Sequence, residues 1–172
     1  MSRLRQLNDV VTGTDSEGKA IALVKSVLPN QAQDIDKPSL GTEAGVRNCS
    51  LIAEFIVTYF TQGKVRYGEK ISGGGMPSMK KRPAFDLKSV GGDPMAMVGE
   101  FGGHNVAILR EGNVYALYQA WEGQYHVFPR LNEDGESHNI FGSGEDTIAL
   151  INKEVAYLEG KTGTQITVKM MT

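Results

Sequence analysis

Two short apolar runs, His104-Asn105-Val106-Ala107-Ile108-Leu109 and Val114-Tyr115-Ala116-Leu117-Tyr118-Gln119, flank the turn-forming stretch Arg110-Glu111-Gly112-Asn113. Apolar runs rich in β-branched and aromatic residues, joined through a short glycine-containing loop, read as an antiparallel hairpin. Both faces of each run are largely apolar, so the hairpin is expected in the middle of a sheet covered on two sides. No other stretch of the chain restricts the fold as tightly. If Leu109 faces Val114, counting outward sets His104 opposite Gln119. His104, Val106 and Ile108 then share one face with Gln119, Leu117 and Tyr115, and Tyr118 lies on the other.

Two helices are predicted to cover that sheet. In the first, Leu51, Ile52, Phe55, Ile56 and Tyr59 recur at three- and four-residue intervals and form one apolar stripe. Asn48 can cap its first turn, and Gly63 can end it in a left-handed conformation. In the second, roughly Glu145 to Glu159, the stripe is Ile148, Ile151, Val155 and Leu158, with Glu145 and Asp146 suited to the positive N-terminus. Lys161-Thr162-Gly163 ends it ahead of a final strand, Thr164 to Val168, and Gln124 to Phe128 can add another. The first ten residues read as a short helix or an ordered arm. The polar, turn-rich stretch from Pro29 to Gly45 looks like an approach loop. Residues 1–172 are therefore expected to form a single α+β domain, with residues 1–45 as an N-terminal arm and approach loop.

Composition narrows the function classes. With 40% hydrophobic and 22% charged residues, 172 residues suffice for one domain with a substantial core. No apolar stretch is long enough to cross a bilayer, and Met1-Ser2-Arg3-Leu4-Arg5 does not resemble a secretory signal. The expectation is a soluble protein, cytoplasmic in its producer or delivered by a route that needs no signal peptide. Net charge is -2, and the basic cluster Lys80-Lys81-Arg82 is short, without interleaved aromatics, which disfavours nucleic-acid binding. The glycines at 73–75 are not followed by Lys-Ser/Thr, so a phosphate-binding loop is not expected. His126 and His138 do not join His104 and Cys49 at metal-ligand spacing, and no metal or cofactor is called for.

The single cysteine excludes an internal disulfide and leaves a reactive thiol. Cys49 falls at the first position of the predicted helix, where amide N–H groups favour a thiolate, and Arg47 adds positive charge. His104, exposed by Gly102-Gly103 at a strand start, is the best candidate base. The other ring nitrogen needs an oriented acceptor, and the Gln119 side-chain carbonyl can supply it without adding charge. Asp93 and Glu54 are reserve partners. The Cys49 backbone N–H and the Asn48 side chain are candidates for stabilising an oxyanion. Trp121 and Tyr125 can line a substrate cleft.

Three pieces, Asn48-Cys49-Ser50 opening a long helix, Gly103-His104-Asn105-Val106-Ala107 at a strand start, and Gln119 after the next strand, resemble the papain-like cysteine hydrolase superfamily. The likeness is to its compact bacterial toxin and effector members, and it spans roughly Asn48 to Trp121. It implies a nucleophile-bearing helix packed against an antiparallel sheet. Cys49 would be nucleophile, His104 acid/base and Gln119 its orienter. The activity implied is cysteine-dependent attack on an amide in a protein or peptide, by proteolysis or glutamine deamidation. A producer of such a toxin would need an immunity protein as partner. The glutamine that papain carries several residues before its nucleophile is missing. Glu43 occupies that neighbourhood, and neither Gln31 nor Gln33 is placed there by spacing. A peptidoglycan amidase or endopeptidase, and a non-catalytic protein-binding module, are the alternative readings.

Overall fold

The alternation of turn formers and apolar runs resolves into a five-stranded sheet in which every neighbouring pair is antiparallel. A computed structural model describes residues 3–12, 53, 56–62, 84–119 and 139–171. In chain order these form α1 (Arg3–Thr12), helical residues at 53 and 56–60 (α2), a 3-10 turn at Leu87–Ser89, and strands β1 (Met95–Phe101), β2 (His104–Glu111), β3 (Val114–Tyr118) and β4 (Ile140–Ser143). Helix α3 (Gly144–Thr162) and strand β5 (Thr167–Met171) complete them. Among the described residues the spatial order is β4-β3-β2-β1-β5, so the β2–β3 hairpin lies inside the sheet, with β4 and β5 outermost.

The hairpin closes more tightly than the four-residue loop expected from sequence. β2 continues through Arg110 and Glu111, leaving Gly112 and Asn113 as a two-residue turn, and the register pairs Leu109 with Ala116 and Glu111 with Val114. Gly112 has a φ of 64°, which a two-residue hairpin with glycine at its first central position uses to match the strand twist. Arg110 and Glu111 earn their place in the strand. The Arg110 guanidinium lies 5.5 Å from the Tyr115 ring centre, and Glu111 Oε1 accepts from the Leu4 N–H at 3.2 Å. Ala107 pairs with Tyr118, so the expected pairing of His104 opposite Gln119 is displaced by two positions. A slip of two keeps every side chain on its expected face, where a slip of one would have exchanged the faces.

Helix α3 covers one face. Its stripe Ile148, Ile151, Val155 and Leu158 is buried against Met97, Phe101, Val106, Ile108, Tyr115 and Leu117, each large apolar side chain contributing on the order of 2 kcal/mol before ordering costs. Glu145 and Asp146 occupy the first turn, and Gly163, at a φ of 68°, ends the helix by donating to the Glu159 carbonyl. The start is anchored to the hairpin by Gly144 N–H donating to Asn113 O at 2.9 Å. Midway, Asn152 Oδ1 accepts from Leu87 N–H at 2.8 Å and ties the 3-10 turn to the helix.

The other face carries Ala96, Val98, Ala107, Leu109, Ala116 and Tyr118, all buried. There α1 lies with Leu4 and Leu7 inward, and Tyr118 hydroxyl donates to Asn8 Oδ1 at 3.0 Å. α2 sits beside α1: Arg3 Nη1 donates to Phe60 O at 2.6 Å and Tyr59 hydroxyl to Gln6 Oε1 at 3.1 Å. From Ile56 to Phe60 every residue is buried, so this stretch is enclosed all round where a single stripe was expected. The left-handed position at its end is Gln62, with a φ of 54°; Gly63, expected there, lies outside the described residues, as do Leu51, Ile52 and Phe55.

Two strands had no sequence forecast. β1 is buried at six of its seven positions, on both faces, so it shows no alternation by which to be recognised. β4 is only four residues long and contains Gly142. The final strand starts at Thr167 instead of Thr164, because Thr164 and Gln165 are spent on the return from α3, where Ile166 N–H donates to Glu159 Oε2 at 2.9 Å. The candidate strand at 124–128 lies outside the described residues.

Candidate functional site

His104 is the first residue of β2, immediately after the Gly102-Gly103 turn, and pairs with Phe101 of β1. Gly102 takes a φ of 68°, a conformation that a side chain rarely adopts, so the chain can reverse within two residues. Because parity along the strand puts His104 with Val106 and Ile108, its ring lies on the α3 face, 6.4 Å from the Phe101 ring centre. It is 7% exposed.

Gln119 follows β3 and is buried; its backbone N–H donates to Asn139 Oδ1 at 3.0 Å, which holds the strand end in place. Its side chain shares the α3 face and reaches diagonally across to β2. His104 Nε2 and Gln119 Oε1 are 2.8 Å apart. An amide oxygen only accepts, so Nε2 donates and Nδ1 is the basic nitrogen. The other end of the same amide, Gln119 Nε2, donates to Glu154 Oε2 at 2.8 Å. Glu154 belongs to α3 and is itself buried. Imidazole, amide and carboxylate thus form a continuous hydrogen-bonded chain from strand to helix.

Burial pushes the His104 proton affinity below the ordinary value. The hydrogen bond to Gln119 acts in the opposite sense, and the Lys161 ammonium near the end of α3 again disfavours imidazolium. The net direction is a neutral ring, the form that can remove a proton.

Asp93 does not serve as a reserve partner. Its Oδ1 accepts from Gly112 N–H at 2.8 Å, at the far end of β2. The seven-residue strand separation from His104 to Glu111 corresponds to roughly 23 Å. Cys49, Asn48, Glu54, Trp121 and Tyr125 lie outside the described residues, as do Arg47, Glu43, Gln31, Gln33, His126 and His138. Among the described residues, no cluster of three or more His, Cys, Asp or Glu is arranged to hold a metal ion, and no helix is long and apolar enough to cross a membrane.

Glu154 was not singled out from sequence. A signal was present: it follows Ile151 by three residues, on the buried stripe of α3, where a carboxylate requires a partner. Beside it, β4 and α3 border a groove of about 560 Å³ lined by Ile140, Phe141, Leu150, Lys153, Glu154 and Tyr157, among others. Among the described residues, Leu150 and Tyr157 are the large apolar side chains most exposed to solvent. The groove meets the hydrogen-bonded chain at its carboxylate end.

No protein-family model matches the chain, and comparison with curated proteins and with solved structures finds no significant similarity.

Proposed function

We propose that the chain is a papain-like, cysteine-dependent hydrolase that attacks an amide bond in a protein or peptide. The observation supporting this reading is the buried His104–Gln119 hydrogen bond, which commits the Nε2 proton to an amide oxygen and makes Nδ1 the basic nitrogen. In this reading Nδ1 takes the Cys49 thiol proton and the thiolate attacks the substrate carbonyl carbon. The developing oxyanion is met by the Cys49 N–H and the Asn48 side chain. Collapse breaks the C–N bond, and the imidazolium returns its proton to the departing nitrogen. Water, deprotonated by Nδ1, then cleaves the thioester and frees the thiol. An amine leaving group makes the reaction proteolysis; ammonia makes it glutamine deamidation. Trp121 and Tyr125 are the proposed cleft aromatics. A cell-wall peptide is the alternative substrate, and an immunity protein is the proposed partner of a toxin of this kind.

The test is labelling of Cys49 by iodoacetamide at neutral pH in the full chain and in His104→Ala. A general base contributes roughly 10²–10⁴-fold to a proton-transfer step, so labelling should slow by at least about tenfold. Equal rates would overturn the pairing. They would favour a second reading, a non-catalytic binding module in which His104 joins sheet to helix. The observation behind that alternative is that the described α2 residues bond to α1, which is itself tied through Asn8 to Tyr118 on the sheet face opposite to His104.

A further inference from the structure

We infer that Glu154 is a positioning residue that sets the tautomer of His104 through the side-chain amide of Gln119; its catalytic meaning rests on the hydrolase reading above. Glu154 Oε2 accepts from Gln119 Nε2 at 2.8 Å, so the amino end of the amide faces the carboxyl group. The amide oxygen is thereby turned to His104, 2.8 Å from Nε2. Since that oxygen has no proton, the imidazole must carry its hydrogen on Nε2 and keep the Nδ1 lone pair. One accepting oxygen at the helix thus dictates which ring nitrogen is basic two hydrogen bonds away.

Gln119 by itself could not do this. The two ends of an amide have nearly the same shape, so a reversed Gln119 would fit the same space. It would then offer an N–H to Nε2, draw the imidazole proton to Nδ1, and remove the base. Glu154 selects between the two arrangements. None of the three residues is more than 7% exposed, which limits competition from bulk water for these bonds. The fold accounts for the placement. Glu154 stands one helical turn after Ile151 and next to Val155, both fully buried, so α3 cannot dock its stripe without bringing this carboxylate to the sheet. Lys161 from the same helix disfavours the charged ring; Glu154 decides where the neutral ring keeps its proton.

The test is nitrogen-15 NMR of the histidine rings in the full chain, with the His104 signals assigned through His104→Gln. The wild-type ring should be protonated at Nε2. In Glu154→Gln, whose side chain can donate as well as accept, the tautomer ratio should move towards Nδ1–H by roughly tenfold, because the reversed amide then also finds a partner. An unchanged ratio in the folded variant overturns the inference. If that variant does not fold, the wild-type spectrum decides: protonation at Nδ1 overturns the inference, and protonation at Nε2 supports it. Cys49 labelling in the same proteins separates the two levels. A tautomer shift with labelling insensitive to His104→Ala leaves Glu154 as the orienter of a non-catalytic histidine. A fixed tautomer with His104-dependent labelling keeps the base and removes Glu154 from its support.

Discussion

Replacing Gln119 by leucine removes the amide while nearly preserving its volume. Gln119 is 2% exposed, and its side chain bridges His104 and Glu154 through two contacts of 2.8 Å. Leucine leaves the Asn139 bond to the Gln119 backbone intact, so the perturbation is confined to the side chain. Two buried polar groups each lose a partner, at about 1–3 kcal/mol apiece, the carboxylate nearer the upper figure. The added apolar burial offsets about 1–2 kcal/mol. The net loss is about 2–4 kcal/mol. With a urea dependence of about 2 kcal/mol per molar, the unfolding midpoint should drop by about 1–2 M. The assay is urea denaturation followed by far-ultraviolet circular dichroism at pH 7.5. Gln119→Leu combined with Glu154→Leu should recover part of the loss, since the carboxyl group that lost its Gln119 bond is then gone as well. A single variant within about 0.5 kcal/mol of wild type, or a double variant that recovers nothing, would refute the bridge as an energetic unit.

The lowered His104 proton affinity makes stability depend on acid in a defined direction. Above the ordinary value of 6.5 both folded and unfolded rings are neutral. Below it the unfolded chain binds the extra proton, and stability falls by up to about 1.4 kcal/mol per pH unit until the folded ring also titrates. Wild type should therefore lose stability relative to His104→Gln between pH 6.5 and the lower folded value; a relative gain on acidification refutes the burial account. At Gly142 a Cβ would run into Thr147 Oγ1, beneath the first turn of α3. Gly142→Ala should cost about 1–3 kcal/mol in thermal or urea unfolding, and much less in a Thr147→Ala background. Strictly additive penalties would show that the collision is not the cause.

The face assignment of the candidate site was legible in the chain because it depends on parity alone. His104, Val106, Ile108, Leu117 and Gln119 share a face under the expected register and under the observed one. The register itself was not legible. Gly112-Asn113 can end a four-residue loop or constitute a two-residue turn, and the longer strands are held by contacts outside the turn: Leu4, distant in sequence, on Glu111, and Tyr115 across the hairpin from Arg110. Asp93 was only a reserve partner for His104 in the sequence, with no register argument behind it; strand pairing places it beside Gly112, at the opposite end of β2.

Local periodicity alone located α3, because Ile148, Ile151, Val155 and Leu158 can bury together only when they share one side of a helix. β2 and β3 were marked differently, by two apolar runs flanking a glycine-containing turn. What required tertiary structure was everything without a local period. β1, apolar on both faces, carries no alternation, and the choice of neighbours for a central strand is a property of the whole sheet. Glu154 belongs to the same class: on paper it interrupts an apolar stripe, and only docking of α3 onto the hairpin brings its carboxylate to the Gln119 amide. Short-range patterns report which side of an element is buried. They do not report which group from another element will be waiting there, because that depends on contacts between residues far apart along the chain.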